Sequence, residues 1–253
     1  MATASKTALV TGGGRGIGEA IARRLAADGF RVVVCGRSEE PLKRVADEIG
    51  GVAMVVDLMD RPATDAFLER LNEAVGTIHV LVNNAGMAES APLHKMDDSM
   101  WDRMMELNAT ASFRLTRALV PAMIEAGYGR VINIASNAGV SGYAYTAAYC
   151  ASKHAVVGFT RGLAMDLAKT PVTINAVCPG WVDTDMVATA VERIAGKTGR
   201  NESDARKSLA AMTPQGRIIE PSEVAHLVAS LCPDEARGIH GQTLVLDGGQ
   251  ILK

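Results

Sequence analysis

Three side chains in the stretch SNAGVSGYAYTAAYCASK could do chemistry together: the hydroxyl of Ser136, the phenol of Tyr149 and the ammonium of Lys153. If a helix opens at Tyr149, Lys153 lies one turn later on the same face, because residues four apart on a helix are neighbours. An isolated phenol titrates near ~10 and is a poor acid or base at neutral pH, whereas a nearby cation favours the phenolate and brings it toward the working range of a general acid/base. Ser136 follows the apolar run 131–134, where a strand should end, so its hydroxyl can hydrogen-bond a substrate oxygen from that edge. The chemistry this predicts is proton transfer to or from an oxygen held beside Tyr149.

The elements that must position these groups show as alternation. Short apolar runs at 8–11, 31–35, 53–57, 78–82, 130–135, 173–178 and 243–246 read as strands. Helix-period segments separate them, beginning with Ile17, Ile21 and Leu25 and continuing over 39–49, 62–75, 99–125, 149–169 and 222–231. Pro121 is expected to kink or end the fourth of these long segments. Strands alternating with helices predict an α/β fold, a parallel sheet with helices on both faces. No linker or repeat divides residues 1–253, so one domain is expected. The one long departure is an insertion at 183–221, in which Met186, Val187, Ala190, Val191 and Ile194 form an apolar stripe while 197–207 is polar. It is expected either to cover the substrate or to be a packing helix.

Composition narrows the partners. Hydrophobic residues make up 48%, charged residues 21%, and the net charge is −2, which is ordinary globular composition and argues against nucleic acid. The opening MATASK runs straight into an apolar segment without a leader pattern, and no apolar stretch is long enough to span a bilayer, so a cytoplasmic protein with no membrane partner is expected. Cys35, Cys150, Cys178 and Cys232 are widely spread and read as buried free thiols. The five histidines form no local cluster, and no metal is expected.

Between the first strand and first helix stands Thr11 followed by Gly12, Gly13, Gly14, Arg15, Gly16, Ile17 and Gly18. Glycines there let the backbone approach a pyrophosphate, whose charge suits the free N–H groups of the helix that follows. The spacing fits GxxxGxG on Gly12, Gly16 and Gly18, not the strict GxGxxG. After the second strand, where an acid would take the 2′-hydroxyl of NAD, the chain reads Cys35, Gly36, Arg37. Arg15 and Arg37 suit a 2′-phosphate instead, so NADP(H) is the expected cofactor; the alternative is that Arg37 is a solvated loop residue and Arg15 a helix cap.

Together these motifs resemble the short-chain dehydrogenase/reductase family over essentially the whole chain. The resemblance is carried by the TGGGRGIG loop, Asn83-Asn84-Ala85-Gly86, Asn108, Ser136, the run Tyr149 to Lys153, Pro179-Gly180 with Thr184, and the closing Asp247-Gly248-Gly249. It implies a doubly wound Rossmann fold with a seven-stranded parallel sheet and a catalytic tetrad of Asn108, Ser136, Tyr149 and Lys153. In such enzymes Tyr149 would be the acid/base and Ser136 would hold the substrate oxygen. Lys153 would bind the nicotinamide ribose and lower the tyrosine pKa, and Asn108 would order a water that connects Lys153 to solvent. Asp57 and Leu58 would touch the adenine, and Asn84, beside Ala85 and Gly86, the adenosine-side ribose. Val182 and Thr184, after Pro179 and Gly180, would hold the carboxamide, with Gly14 and Ile17 in the pyrophosphate loop. A homotetramer is implied as well.

The reaction expected is reversible hydride transfer between NADP(H) and a ketone/secondary alcohol pair. A non-catalytic cofactor-binding protein is the alternative of another class. Walls for the substrate are expected from 87–93, 137–145, Trp181 and the insertion, a mostly apolar set. The chain looks most like the 3-oxoacyl reductase and 3-hydroxyacyl dehydrogenase branch, which implies an acyl thioester. The cations Arg193, Lys197, Arg200, Arg206, Lys207 and Arg217 could receive its phosphate-bearing carrier arm, or be a solvated face. Small or cyclic ketones are the alternative substrates.

Overall fold

Strand β1, Thr7–Thr11, reads TALVT and is buried throughout, as a strand covered on both faces must be. The computed structural model describes residues 5–251, so the leader reading at the first four residues lies outside the described residues. The other strands are β2 (Arg31–Gly36), β3 (Val52–Val55), β4 (Val80–Asn83), β5 (Gly129–Ile134), β6 (Val172–Pro179) and β7 (Thr243–Leu246). They pair in parallel in the order β3-β2-β1-β4-β5-β6-β7, the doubly wound seven-stranded sheet expected. The chain leaves β1 toward one edge and returns to build β4 on its other side, which opens a crevice at the carboxyl ends of β1 and β4.

Helices cover both faces. Ile21 and Leu25 of α1 (Gly16–Ala27), Val45 of α2 (Glu39–Ile49) and Val224 and Val228 of α9 (Pro221–Ser230) pack on one side with Val10, Val34 and Ile132. Phe67 and Leu71 of α3 (Arg61–Val75) join Leu115 and Met123 of α5 (Ala111–Glu125) and Leu167 of α6 (Ala147–Leu167) on the other. Among the described residues no helix is long and apolar enough to cross a membrane.

One expectation about the helices is corrected. The segment 99–125 is not one helix: α4 (Asp98–Met105) passes through a π-helical turn, Glu106–Thr110, before α5 begins. The break falls at Asn108 and not at Pro121. Pro121 lies on an exposed face while buried Val120 and Met123 hold α5 to the core through to Glu125. The insertion carries the helix that its apolar stripe predicts, and a second one beyond it. It folds as α7 (Asp185–Thr198) and α8 (Glu202–Ala210), whose Val187, Val191, Ala205 and Leu209 share a small apolar cluster with Ile218 and Trp181. Only Ala205 and Leu209 of α8 are buried, too few to leave a readable stripe.

A polar ladder ties the helices to the sheet beneath the crevice. Asn83 of β4 donates to Asn133 of β5 (2.8 Å) and to Thr116 of α5 (3.1 Å), and Asn133 donates to Thr160 of α6 (2.9 Å). Asn133 and Thr160 are fully buried. Thr116 and Thr160 also bond back to carbonyls of their own helices, Ser112 and Val156. Replacing Asn133 by leucine leaves the Asn83 amide and the Thr160 hydroxyl without this partner, and each stranded buried group costs about 1–3 kcal/mol. Asn133→Leu should therefore lower the denaturant midpoint with an unchanged m-value; an unchanged midpoint would show that the ladder does not hold these helices.

Candidate active site

Ser136 leaves β5 in an extended conformation and caps a short turn, its Oγ accepting the Ala138 N–H at 3.1 Å. That turn lies directly on α6: a Cβ added at Gly139 would stand 2.8 Å from the Lys153 carbonyl oxygen. The close approach brings Ser136 to the face carrying Tyr149 and Lys153, and the Ser136 side chain is near enough to the Tyr149 hydroxyl to lower its pKa. Tyr149 sits in the first turn of α6, which starts at Ala147, so the tyrosine follows the helix start instead of making it.

Lys153 is 5% exposed. Its Nζ donates to the Ile134 carbonyl at 2.9 Å and lies 5.9 Å from the centre of the Tyr149 ring. Burial pushes its pKa down to about 8, with the neighbouring Cys178 thiol working in the other direction. The expected lowering of the tyrosine by this lysine is corrected. Burial acts most strongly on Tyr149 and raises its pKa, while the Ser136 side chain opposes the rise.

Asn108 is brought to the same place by the π-helical turn. One Nδ2 hydrogen goes to the Met87 carbonyl (2.9 Å) and the other to Ser152 Oγ (2.9 Å), and Oδ1 accepts the Met87 N–H (2.8 Å). Its side chain is thus a clamp on the loop after β4. A Cβ on Gly86 would come within 3.0 Å of Asn108 Oδ1 and 3.5 Å of Lys153 Nζ, so the loop must pass here as bare backbone.

At the other end of the crevice, the glycine loop and the first turn of α1 are in near contact: a Cβ on Gly18 would lie 2.2 Å from the Gly12 carbonyl oxygen. Gly12 and Gly16 hold positive φ angles of 65° and 54°. The Thr11 hydroxyl accepts the N–H groups of Asn84 (2.9 Å) and Ala85 (2.8 Å). Asn84, expected at the ribose, donates its own amide to the Thr11 carbonyl at 2.8 Å and so works as a strut under the loop. Thr184, the N-cap of α7, lies close to Gly16 and donates to the Val182 carbonyl at 3.1 Å. Gly180, after Pro179, donates its N–H to Leu246 (3.0 Å). Three expected contact residues turn their side chains into the core: Ile17 and Val182 into one layer and Leu58 into the other. Val182 and Leu58 are buried, whereas Ile17 is only partly so. Asp57 accepts the Met59 N–H at 3.0 Å.

Arg37 is exposed at the end of β2, while Arg15 makes a loose pair with Asp185 at 3.6 Å, both side chains largely in solvent. Sequence reasoning missed Arg44, which donates to the Gly14 carbonyl (3.3 Å) and pairs with Glu19 (2.7 Å). It missed Thr11 and Ser152 as well. Both stand inside the quoted motifs, and hydroxyls at a strand end and beside a lysine were the available signal.

Comparison with known proteins agrees with this geometry. The family model for short chain dehydrogenase matches residues 6–195. A Streptomyces coelicolor protein assigned as a ketoacyl reductase is 41% identical over 252 residues, 97% of each chain. The 3-oxoacyl-[acyl-carrier-protein] reductase FabG of Escherichia coli is 36% identical over 249 residues, 98% of each. Among solved structures, a variant of actinorhodin polyketide ketoreductase with NADPH superposes with a TM-score of 0.94 at 41% identity, covering 99% of both chains. L-sorbose reductase from Gluconobacter frateurii, complexed with NADPH and L-sorbose, does so with 0.92 at 28% identity, covering 98% of this chain and 97% of that one. With the sheet order, the glycine loop and the Ser136, Tyr149 and Lys153 cluster already in place, these matches show that the chain belongs to the short-chain dehydrogenase family and is an oxidoreductase.

Proposed function

We propose that the enzyme reduces a 3-oxoacyl thioester to the 3-hydroxyacyl product with NADPH. The observation that carries the reading is the meeting of Ser136, Tyr149 and Lys153 at the carboxyl end of β5. The Ser136 and Tyr149 hydroxyls receive the ketone oxygen, and Tyr149 gives its proton where negative charge develops. Burial raises the phenol's pKa and the Ser136 hydroxyl opposes the rise, so Tyr149 is available as the proton donor to the ketone oxygen. Lys153 brings positive charge to the same spot, and Asn108 fixes the loop beside it.

The cradle fits a dinucleotide. Side chains are excluded where Gly12 and Gly18 meet and where Gly86 passes Lys153, which leaves backbone to approach a pyrophosphate and a nicotinamide ribose. Gly14, Gly16, Asn84, Ala85, Pro179, Gly180 and Thr184 complete it, with Asp57 and the backbone of Leu58 toward the adenine. When bound, NADPH supplies the hydride. Arg37 and Arg15 would hold its 2′-phosphate; an exposed pair such as Arg15 with Asp185 contributes little and can exchange for a phosphate.

For the substrate, the names of the ketoacyl reductase relatives support the thioester. So does the apolar rim that Leu93, Tyr145, Met186 and Met212 expose on the segments expected to flank the cleft, with α7 and α8 as its cover. The cations of the insertion do not support it. Arg193 is tied to Ser90, Arg200 to Ser208 (3.1 Å), Arg206 to Asp183, Lys207 to Asp204 (3.4 Å) and Arg217 to Glu223 (2.5 Å). Exposed pairs of this kind contribute little, so it is the L-sorbose reductase likeness that favours a second reading, reduction of a ketone without a carrier. Assembly as a homotetramer belongs to the proposal and is supported by Phe113, Ile124 and Met165 exposed on α5 and α6. A cytoplasmic location belongs to it too, supported by four cysteines that are all free.

Turnover of a 3-oxoacyl thioester with NADPH tests the reading against a carrier-free ketone of the same acyl shape. The thioester should show the higher kcat/KM, and equal or better use of the free ketone would decide for the second reading. Tyr149→Phe should lower turnover about 10²–10⁴-fold while cofactor binding persists.

Cofactor choice is a separate test. NADPH should bind more tightly than NADH, and Arg37→Ala should weaken NADPH selectively, as titrated by nicotinamide fluorescence. Equal affinities in the wild type would refute the phosphate assignment.

The buried lysine makes a stability prediction. Its pKa falls from 10.5 unfolded to about 8 folded, so between those values the unfolded chain binds the extra proton and this residue makes stability rise with pH. In denaturant titrations the wild type should gain on Lys153→Met from pH 8 to pH 10, and a pH-independent difference would contradict the burial effect.

A further inference from the structure

Ser152 is fully buried between Tyr149 and Lys153. Its Oγ accepts an Asn108 Nδ2 hydrogen at 2.9 Å and donates to the Tyr149 carbonyl at 2.8 Å. A serine bonding back to a carbonyl of its own helix is ordinary. Nothing in α6 alone requires it also to receive the amide of a residue from the π-helical turn. Because Asn108 is clamped on Met87 at both its oxygen and its nitrogen, one chain of hydrogen bonds runs from the loop after β4, through Asn108 and Ser152, to the first turn of α6.

We infer that Ser152 is a positioning residue for the ketone reduction: by linking Asn108 to the Tyr149 carbonyl, it sets Tyr149 and Lys153 against the Gly86 to Met87 backbone. The inference rests on the proposed function in taking Tyr149 and Lys153 as the working pair. The tolerance there is small, since the Gly86 Cβ position is 3.5 Å from Lys153 Nζ and 3.0 Å from Asn108 Oδ1. Without the Ser152 oxygen, an N–H of Asn108, a residue 2% exposed, is left with at most the weak Met104 Sδ acceptor at 3.9 Å. A buried donor left unpaired drives rearrangement, and the groups free to move are the loop and the helix turn that carry the site. The glycine loop and Arg37 lie on other elements and take no part in the chain.

The test compares Ser152→Ala, Asn108→Ala and the double variant, with NADPH and the 3-oxoacyl thioester as substrates and 2′,5′-ADP binding by calorimetry as a second readout. Each single variant should lose about 10–100-fold in kcat, the scale of misplaced reacting groups, with thioester KM within about twofold of wild type. The double variant should be no slower than Asn108→Ala alone, since both changes remove one link. Binding of 2′,5′-ADP, which reports the adenosine end, should be unchanged throughout. Additive losses overturn the inference, as does a Ser152→Ala kcat within about twofold of wild type, or a loss shared by 2′,5′-ADP binding. If Asn108→Ala does not fold, Ser152→Ala decides alone by the same kcat and 2′,5′-ADP criteria. A wild type that reduces no ketone with NADPH overturns the proposed function and this inference with it; an active wild type with additive losses overturns the inference only.

Discussion

Burying the ammonium of Lys153 is costly, because a charge taken from water into a low-dielectric interior must recover its solvation from fixed dipoles. The recovery is partial. The Ile134 carbonyl accepts one hydrogen of Nζ, and the pKa still falls to about 8. The carbonyl that meets the ammonium lies at the end of β5, two residues before Ser136. One hydrogen bond therefore fixes the lysine to the strand that delivers the serine, and much of the neighbouring architecture serves to keep that geometry.

Three elements converge on it by different physical means. The turn after Ser136 comes close to α6 because Gly139 has no side chain to hold the two apart. The loop after β4 is gripped by Asn108, whose π-helical turn interrupts what would otherwise be a continuous helix. Single π turns inside α-helices often occur at functional sites, since the extra residue re-aims one side chain at a cost in regular bonding. Deeper in the sheet, the Asn83 and Asn133 ladder anchors the same two helices to β4 and β5. Both amide hydrogens of Asn83 are paired in this ladder, which helps to rigidify it, while its buried Oδ1 has no partner among the described residues.

The crevice follows from topology. Where the chain reverses direction between β1 and β4, the loops after these strands diverge, and the glycine loop and the Asn84 to Gly86 loop face each other across the gap. Thr11 joins them by accepting two N–H groups from the opposite loop. The insertion, by contrast, pairs Arg206, Lys207 and Arg217 with nearby acids around a small apolar core of its own. Met186 and Met212 of the insertion expose apolar surface as well.

Alternation of strand and helix, the glycine loop and the Ser136, Tyr149 and Lys153 spacing were legible because each is written over a few neighbouring residues, where local backbone preference and periodicity act. That level determined the seven-stranded α/β sheet, the family and the members of the cluster. It did not determine their electrostatics. Spacing suggested that Lys153 would lower the tyrosine pKa, whereas enclosure by distant segments dominates and raises it. Nor could it show that Asn108 works as a clamp, that Ser152 joins it to α6, or that Arg193 of the insertion reaches back to Ser90, because those partners lie far away in the chain. The sequence by itself determined which groups could meet; only the tertiary structure decided how deeply they are buried and which hydrogen bonds they have left, because burial and pairing depend on segments that fold against the site from elsewhere.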